Sequence, residues 1–372
     1  MPQATLLGWF GNKRGTAVRE LLMGLRGKRV FVTGHTGFKG SWLCMMLDAF
    51  GAQVCGYSLE PPTSPNLYDL CGIDARIESH IGDVRDFEHL RDVFAAFKPQ
   101  IVLHLAAQPI VRASYDDPRY TYETNVMGTV NILECVRTCG GVESFVNVTT
   151  DKVYLNEERA DYAYREDDKL DGFDPYSNSK SCSELVTHSY AKSFFGAAGA
   201  TPISTARAGN VIGGGDFAPS RIIPDCVRAA VSGESVVIRN PRSTRPFQHV
   251  LEPLSAYLAI ALSQAADPAL AGAYNVGPDD CDCASAGQLA DLWCTAWLGA
   301  QWVDASGATD DGKHEAAFLK LDNSLIKEAF GWAPRWHIDE AVRKTAEWTR
   351  VWLEGGDVAA EMRRQINEYL GD

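Results

Sequence analysis

A glycine-rich turn between a buried strand and an apolar helix constrains the fold more than any other feature of the sequence. Arg29–Thr33 (RVFVT) is typical of a buried strand, and Ser41–Phe50 is apolar on most faces, which predicts a helix packed on a sheet. Between them, TGHTGFKG at 33–40 places glycines at 34, 37 and 40. Glycines let the backbone approach a pyrophosphate, which the amides of a helix N-terminus favour. The pattern therefore predicts a dinucleotide site, although a tight turn without a ligand is the alternative.

Strand and helix signals alternate along the first half of the chain. Further strands are predicted at Gln53–Tyr57, Ile101–Leu105, Phe145–Val148 and Ser204–Arg207, and a long helix from about Arg119 to Arg137. This alternation implies a parallel sheet that binds ligands at the carboxyl ends of its strands. We therefore predict an α/β fold: a Rossmann-like, doubly wound parallel sheet with a smaller C-terminal substrate-binding lobe.

The 372 residues divide into three predicted parts. Residues 1–26 form an N-terminal extension or a short amphipathic helix of unknown role, because they lack the order and cleavage site of a signal peptide. Residues 27–206 form the dinucleotide-binding domain. Residues 207–372 are mainly the substrate-binding lobe, with parts that return to the first domain.

Charge and cysteine content restrict the partners of the chain. Lysine plus arginine number 35 against 48 aspartates and glutamates, so the net charge of −13 repels nucleic acid and anionic membranes. No run approaches the roughly 18 apolar residues of a membrane span. The ten cysteines show no zinc-finger spacing, which indicates reduced thiols in a cytoplasmic protein and no metal site.

A tyrosine and a lysine lie one helical turn apart in YSNSK at 176–180. An ammonium on the same helix face favours the phenolate and lowers the pKa of the phenol. Such a tyrosine takes a proton from a hydroxyl group while hydride leaves the adjacent carbon. The spacing is common by chance, but TTDK at 149–152 ends the preceding strand at the edge where ligands bind. Together these segments predict a catalytic site with Thr150, Tyr176 and Lys180.

The residues after the second and third strands bear on the ribose and adenine of a dinucleotide. Ser58 takes the usual place of a ribose-binding carboxylate, Glu60 comes late, and no arginine follows closely to hold a 2′-phosphate. This favours NAD over NADP. Asp83 and Val84 follow the third strand, where Asp83 either binds the adenine edge or caps a helix.

Six segments identify the chain as a member of the extended short-chain dehydrogenase/reductases that act on nucleotide sugars. They are TGHTGFKG at 33–40, HLAAQP at 104–109, TNVMGT at 124–129, VTTDKVY at 148–154, YSNSK at 176–180 and RAGNVIGGGD at 207–216. The resemblance covers Gly27 to about Trp348. Within the family the chain resembles the CDP-glucose 4,6-dehydratases, which share the Asp151-Lys152 pair where most 4,6-dehydratases have Asp-Glu.

The resemblance implies bound NAD, CDP-glucose as substrate and a 4,6-dehydration. Tyr176, with Thr150 and Lys180, is implied to remove the proton of the sugar 4-hydroxyl. Asp151 is implied to be the acid and Lys152 the base of water elimination, which requires a neutral lysine. Without the resemblance, Lys152 would be read as an exposed strand-end cation or as a salt-bridge partner of Asp151.

The resemblance also implies which residues contact the cofactor. They are Gly34, Thr36, Gly37, Phe38, Lys39, Gly40, Ser58, Asp83, Val84, Leu105, Ala106, Ala107, Gln108, Asn125, Tyr176 and Lys180. Two residues of the turn depart from the family, since His35 replaces a common glycine and Lys39 a common apolar residue. Either NAD binding is loosened, or Lys39 reaches a phosphate.

The nucleotide diphosphate of the substrate needs cations and amide donors. The residues implied to bind the substrate are Gln108, Asn210, Arg221, Arg242, Arg245, Asn275 and His314, with Glu315 beside it. Arg242 and Arg245 share a proline-flanked loop, which favours bidentate phosphate recognition over two solvated side chains. Arg245 also matches an arginine of the family.

Two other functions compete with dehydration. A nucleotide-sugar 4-epimerase needs Tyr176 and Lys180 but has no use for an acid and a base at 151 and 152. A regulator that binds NAD without catalysis has no need of Thr150, Tyr176 and Lys180 together. The resemblance further implies deoxysugar synthesis for surface polysaccharides, and a homodimer or homotetramer that pairs through the helices near 119–137 and 176–194.

Overall fold

The computed structural model describes residues 14–197, 199–306 and 316–371. Its strands are β1 (Arg29–Thr33), β2 (Gln53–Ser58), β3 (Glu78–Ile81), β4 (Ile101–His104), β5 (Ser144–Thr150), β6 (Ile203–Ala208), β7 (Val211–Ile212), β8 (Val236–Ile238), β9 (Thr244–Arg245), β10 (Gln248–His249), β11 (Ala273–Val276), β12 (Ala284–Ser285) and β13 (Trp302–Asp304). Its α-helices are α1 (Arg14–Leu22), α2 (Phe38–Ala49), α3 (Leu67–Leu70), α4 (Phe87–Phe97), α5 (Val111–Asp116), α6 (Pro118–Tyr122), α7 (Gly128–Cys139), α8 (Pro175–Phe194), α9 (Ile222–Ser232), α10 (Leu251–Ala266), α11 (Ala286–Ala296), α12 (Ser324–Phe330), α13 (Ile338–Leu353) and α14 (Val358–Leu370).

A seven-stranded sheet forms the centre of the molecule, in the order β11-β6-β5-β4-β1-β2-β3. Every neighbouring pair in it is parallel. Val30 and Val32 of β1 contact one hydrophobic core, together with residues of α2, α10 and α14, whereas Phe31 contacts a second core with residues of α4 and α7. Because helices cover both faces, the central strands are apolar on both sides. The predicted doubly wound α/β fold is confirmed.

The chain leaves this sheet after β6 and returns to it with β11, which pairs with β6. Within the excursion β7 pairs with β10, whereas β8 and β9 pair with β13 and β12, which follow β11 in the chain. Residues of α9, α11 and α13 form a separate core with these short strands. The strand at 273–276 is thus a part of the C-terminal half that belongs to the main sheet.

The predicted helix from about Arg119 to Arg137 differs from the structure in its interior. It consists of α6, a π-helical turn at Glu123–Met127 and α7, in continuous succession. A π turn inserts one residue into the helical repeat and shifts the side chains around it. Asn125, one of the expected cofactor contacts, lies in this turn.

The N-terminal helix is part of the folded body. Within residues 14–26, α1 packs on α10 and α14, and Leu22 and Leu25 are fully buried. The two alternatives for this segment, an extension or a short helix, are resolved in favour of the helix for the described residues. Among the described helices, none combines the length and the apolar character needed to cross a membrane.

Candidate active site

The β1–α2 turn owes its shape to two of its glycines. Gly34 has a φ of +79°, and a Cβ there would lie 2.9 Å from the amide nitrogen of Ala106. A Cβ on Gly40 would lie 2.1 Å from the carbonyl oxygen of Gly34. Both positions therefore exclude a side chain because of contacts within the protein.

Gly37 differs from its two neighbours in the turn. It is the N-cap of α2, no side chain caps that helix end, and a Cβ there would meet only the Gly34 carbonyl oxygen at 3.5 Å. The space beside Gly37 is thus open, and the first amides of α2 have no side-chain acceptor. This combination fits the pyrophosphate of a dinucleotide.

His35 turns away from this helix end. Its ring lies where a Cβ on Gly56 would be, 2.3 Å from the nearest ring atom, and its Nε2 lies 2.7 Å from the hydroxyl of Ser79. Burial lowers the pKa of His35 to about 4, so the ring is neutral at pH 7. The histidine that replaces a common glycine packs between β2 and β3.

Lys39 faces the centre of the site. Burial and the neighbouring Arg221 lower its pKa to about 8, while the carboxylates of Asp151 and Asp216 act in the opposite direction. Its charge also lowers the pKa of Lys180. Lys39 therefore connects the phosphate turn with the catalytic residues.

The catalytic residues predicted from sequence come together at the carboxyl end of β5. Thr150 ends the strand, and Asp151 and Lys152 lie in a 3₁₀ turn at Asp151–Val153. The Thr150 hydroxyl donates to Oδ1 of Asp151 at 2.9 Å. Tyr176 lies in the first turn of α8, which Asp174 caps by accepting from the amide of Ser177.

The pKa values of Tyr176 and Lys180 differ from the expectation. Burial raises the pKa of Tyr176 to about 12, although its hydrogen bond with Thr150 opposes this effect. Burial and Lys39 lower the pKa of Lys180 to about 7. The predicted lowering of the phenol pKa is therefore wrong for the protein alone, because burial raises that pKa instead.

Asp151 has an unused acceptor. The residue is 1% exposed, and its Oδ2 is buried without a hydrogen-bond partner among the described residues. A buried carboxylate oxygen without a donor is costly unless a ligand or a proton satisfies it. This atom, the uncapped end of α2 and the open side of Gly37 together fit a site that receives a dinucleotide and a hydroxylated ligand.

Several expected cofactor residues line the walls of the site. The hydroxyls of Thr36 and Ser58 lie 2.9 Å apart, and Thr36 also donates to the carbonyl of Leu59. The amides of Leu105 and Ala106 both donate to the Thr33 hydroxyl at 3.1 Å. These bonds tie the loop after β4, which continues into Ala107, to the end of β1.

Asp83 is not a helix cap. Its carboxylate accepts from the backbone amide and the guanidinium of Arg85, at 2.9 and 2.6 Å, and these bonds lower its pKa against the effect of burial. Asp86 caps α4 instead. Val84 is buried against Gly128 of α7.

Gln108 and Asn125 bond mainly to the protein. The Gln108 side chain donates to Thr121 at 2.9 Å and accepts from the amide of Ile110 at 2.6 Å. Asn125 accepts from the Gln108 amide at 2.8 Å and donates to Ser179 at 2.9 Å. We therefore assign both side chains to fixing the loop after β4 against α8.

Arg221, one of the expected substrate residues, lies close enough to the catalytic residues to act on their pKa values. It is half-buried, pairs with Asp216 at 2.9 Å, and its charge lowers the pKa values of Tyr176 and Lys39. Asn210, also half-buried, lies just before β7, and its carbonyl accepts from the amide of Gln248.

The two loop arginines are separated by burial. Arg242 is exposed. Hydrogen bonds from Ser306 lower the pKa of Asp304, and the charge of Arg242 adds a smaller effect in the same direction. Arg245 is 4% exposed, donates to the carbonyl of Thr244 at 2.9 Å and donates also to that of Ala316. The two guanidinium groups thus differ in burial, and bidentate phosphate recognition by this loop stays a prediction.

Asn275 is not brought to the ligand side of the site. It is fully buried, accepts from the Tyr154 hydroxyl at 2.6 Å and donates to the carbonyls of Tyr164 and Asp322. Its amide therefore joins β11 to neighbouring loops. His314 and Glu315 lie outside the described residues.

Sequence reasoning missed a buried ion pair behind the catalytic helix. Glu184 of α8 and Arg207 of β6 lie 2.9 Å apart, with side chains 3% and 4% exposed. The available signal was a carboxylate four residues after Lys180, on the same helix face. Its partner, Arg207 of β6, could not be identified from the residues around Glu184 in the sequence.

Other features lie apart from this site. A cavity of about 890 Å³ between α8, β6 and β11 contains none of the expected site residues. Within the described ranges, two groups of side chains have metal-ligating atoms close together: Cys55, Glu78 and His80, and Cys281, Asp282 and His337. Neither group includes a residue of the catalytic centre.

Comparisons with known proteins agree with this geometry. The chain is 47% identical over 352 residues to a CDP-glucose 4,6-dehydratase of Salmonella typhimurium, which covers 93% of this chain and 97% of that protein. It is 28% identical to a UDP-glucose 4-epimerase of Mycolicibacterium smegmatis, over 87% of this chain and 98% of that protein.

Solved structures share the fold. A UDP-glucose 4-epimerase of Thermotoga maritima in complex with UDP-glucose superposes with a TM-score of 0.74 at 21% identity, covering 87% of this chain and 99% of that chain. MoeE5 in complex with UDP-glucose and NAD gives a TM-score of 0.71 at 25% identity, with the same coverage. A family model described as GDP-mannose 4,6 dehydratase matches residues 31–345. This chain therefore belongs to the GDP-mannose 4,6-dehydratase family.

Proposed function

We propose that the protein is an NAD-dependent CDP-glucose 4,6-dehydratase that forms CDP-4-keto-6-deoxyglucose. The observation that carries the proposal is the cluster at the end of β5, where Asp151 and Lys152 directly follow Thr150 in a turn that packs on α8, the helix of Tyr176 and Lys180. The 47% identity with a CDP-glucose 4,6-dehydratase supports the nucleotide and the sugar.

NAD would be held by the β1–α2 turn, the loop after β4 and the start of α8. It would supply a hydride acceptor for carbon 4 of the sugar and a hydride donor for carbon 6, and so would not be consumed. The amides at Gly37 and Phe38 would meet its pyrophosphate. Ser58, with Thr36, would meet the adenosine ribose.

Tyr176 takes the proton of the 4-hydroxyl. In the protein alone burial raises its pKa to about 12, so that deprotonation needs positive charge nearby. Lys180 supplies such a charge when protonated, and a bound nicotinamide cation supplies another. Thr150 relays the proton, because its hydroxyl bonds to Tyr176 and to Asp151.

Asp151 and Lys152 carry out the elimination. The ketone at carbon 4 acidifies the proton at carbon 5, which neutral Lys152 removes. Asp151 in its protonated form gives a proton to the 6-hydroxyl, so that the carbon–oxygen bond breaks and one water leaves. Reprotonation of carbon 5 completes the product. Each proton taken is balanced by one given, and the net change is loss of one water.

The substrate diphosphate would lie beside Arg221, with Arg245 and Asn210 deeper in the lobe. Arg221 already forms an ion pair with Asp216, so a phosphate would bind the same guanidinium group as that carboxylate. An acidic protein that holds an anion needs such local cations.

The rival with a specific observation in its favour is a nucleotide-sugar 4-epimerase, since such an enzyme of Mycolicibacterium smegmatis aligns over 87% of this chain. Epimerisation has no step for Asp151 and Lys152. A catalytically silent NAD-binding regulator would have no step for Tyr176 either.

A panel of CDP-, dTDP-, GDP- and UDP-sugars with NAD in heavy water tests the proposal, read by mass spectrometry and NMR. We expect loss of one water from CDP-glucose, with deuterium at carbon 5. Dehydration of another nucleotide sugar would retain the reaction and reject the substrate. Epimerisation without water loss would reject the dehydratase, and NAD binding without turnover would favour the regulator.

We also propose a homo-oligomer that pairs through α8 and α7. Leu185 and Phe194 of α8 are 54% and 52% exposed, and Met127 at the start of α7 is 50% exposed. Three large, exposed apolar side chains on two neighbouring helices fit a subunit interface. Sedimentation velocity tests this, and a monomer at micromolar concentration would contradict it.

A further inference from the structure

Glu184 lies on α8 one turn beyond Lys180, and its side chain is 3% exposed. Its carboxylate is bound from three sides. Oε1 accepts from the Thr149 hydroxyl, and Oε2 accepts from Thr205 at 2.8 Å and from Arg207 at 2.9 Å. Since a buried carboxylate is costly unless donors satisfy it, these three hydrogen bonds stabilise the Glu184 side chain at this position.

Helix α8 thereby holds two consecutive residues of β5. Nζ of Lys180 donates to the carbonyl of Val148 at 3.1 Å, and Glu184 accepts from the side chain of Thr149. The next residue of the strand is Thr150, where the catalytic segment 150–152 begins. The two contacts therefore set the position of that segment relative to Tyr176.

Glu184 also acts on the charge of Lys180. The charged and titratable groups around Lys180 are Lys39 from α2, His104 from β4, Tyr176 from the preceding turn of α8, and Glu184. His104 is neutral because burial lowers its pKa to about 3. Burial and Lys39 lower the pKa of Lys180 to about 7, and Glu184 is the group that raises it.

Arg207, the charged partner of Glu184 on β6, also binds a neighbouring segment of the chain. Arg207 donates from Nη1 to the Tyr154 hydroxyl and to the carbonyl of Glu166, each at 2.9 Å. Burial raises the pKa of Glu166, whose carboxylate accepts from the amide of Asn275. Arg207 thus shares its donors between Glu184 and this neighbouring segment.

We propose that Glu184 is a positioning residue for the dehydratase: its bound carboxylate fixes the end of β5 that carries the catalytic segment, and it lies on the Lys180 face of α8, one turn away. The proposal rests on the proposed function, in which the ammonium of Lys180 favours the phenolate of Tyr176. Activity should therefore be lost as pH rises through the pKa of Lys180, and Glu184 should set how high that limit lies.

The pH profile of kcat tests the proposal with three variants. Glu184→Gln should move the alkaline limb to lower pH by roughly one unit, because an opposite charge nearby is lost. Glu184→Asp, which keeps the charge, should leave the limb in place. Thr149→Val removes only the strand contact, and it should lower kcat less than about tenfold without moving the limb. A kcat that falls in all three variants with an unmoved limb would overturn the electrostatic role.

A second measurement tests the inference even if a variant folds poorly or CDP-glucose is not the substrate. Glu184→Gln leaves Arg207 without its carboxylate partner, so the double variant Glu184→Gln/Arg207→Met is compared with Arg207→Met alone.

NMR of protein labelled with ¹³C at the lysine ε-carbon, with NAD bound, reports the Lys180 titration directly, and Lys180→Met assigns the signal. We expect a lower Lys180 pKa without Glu184. An unchanged pKa overturns the inference whether or not CDP-glucose is a substrate, whereas inactivity of the wild type on CDP-glucose, with the shift present, rejects only the proposed function.

Discussion

The hydroxyl of Thr150 donates to Oδ1 of Asp151 at 2.9 Å while Oδ2 of Asp151 has no partner among the described residues. The two carboxylate oxygens of Asp151 therefore differ: Thr150 holds Oδ1 in place, and Oδ2 is left for a proton or a ligand. A site that only oxidises and reduces a sugar does not need this second oxygen.

Asp151→Asn and Lys152→Met should therefore separate oxidation from dehydration. We expect each variant to lower the rate of water loss by about 10²- to 10⁴-fold, the usual contribution of a general acid or base, while bound nicotinamide is still reduced by CDP-glucose. Rapid-scan absorbance reports the reduction, and NMR reports the product. Lys192→Met, at an exposed position of α8, is the matched control and should behave as the wild type. Equal loss of both steps would contradict the assignment.

The depressed pKa of Lys180 predicts how stability depends on pH without NAD. The pKa of Lys180 in the folded protein is about 7, against an ordinary value of 10.5, so between pH 7 and 8 the unfolded chain binds more protons and stability rises with pH. We expect about 1 kcal/mol from Lys180 over that interval, since one pKa unit corresponds to about 1.4 kcal/mol. Urea unfolding of the wild type and Lys180→Met at both pH values measures it. An equal pH dependence in both proteins would contradict the buried, partly neutral lysine.

Two glycines of the phosphate turn should respond differently to alanine. Gly40→Ala places a Cβ 2.1 Å from the Gly34 carbonyl, and we expect a loss of roughly 2–4 kcal/mol of unfolding free energy. Gly37→Ala meets only an ordinary contact at 3.5 Å, so its stability should be near that of the wild type. Its affinity for NAD should fall about tenfold or more, since the Cβ occupies the open side of the turn.

Calorimetric titration with NAD and thermal unfolding separate the two effects. Unchanged NAD affinity of Gly37→Ala would show that the cofactor does not approach α2 there.

Arg221 should bind the substrate diphosphate. Arg221→Met is expected to raise KM for CDP-glucose by about 10- to 100-fold, because a charge-assisted contact to phosphate is lost. The control is Arg228→Met on α9, which removes an exposed pair with Asp225 and should leave KM unchanged. A similar KM for both variants would place the diphosphate elsewhere.

Much of this site follows from local sequence. The turn at 33–40 comes directly after the first strand, and the segment at 149–152 ends β5, so parallel pairing brings both to one edge of the sheet. The spacing of Tyr176 and Lys180 then fixes them on one face of α8. These residues are close in sequence or at equivalent strand ends, and periodicity is enough to place them.

What escaped prediction depends on contacts between distant segments. The Glu184–Arg207 pair joins a helix to a strand 23 residues away, and the π turn at Glu123–Met127 directs Asn125 toward Gln108. Asn275 is a polar residue whose donors and acceptors are all taken up by partners far along the chain. The pKa of Tyr176 was misjudged because desolvation depends on the whole packed site and not on one lysine.

The most direct measurement follows one deuterium atom. CDP-glucose labelled with deuterium at carbon 4 is incubated with the protein and NAD in ordinary water, and the product is examined by NMR. Our account predicts a product that has lost one water and carries the deuterium at carbon 6, because the hydride taken from carbon 4 returns there. Deuterium that stays at carbon 4 of a sugar with all its hydroxyl groups would contradict the account.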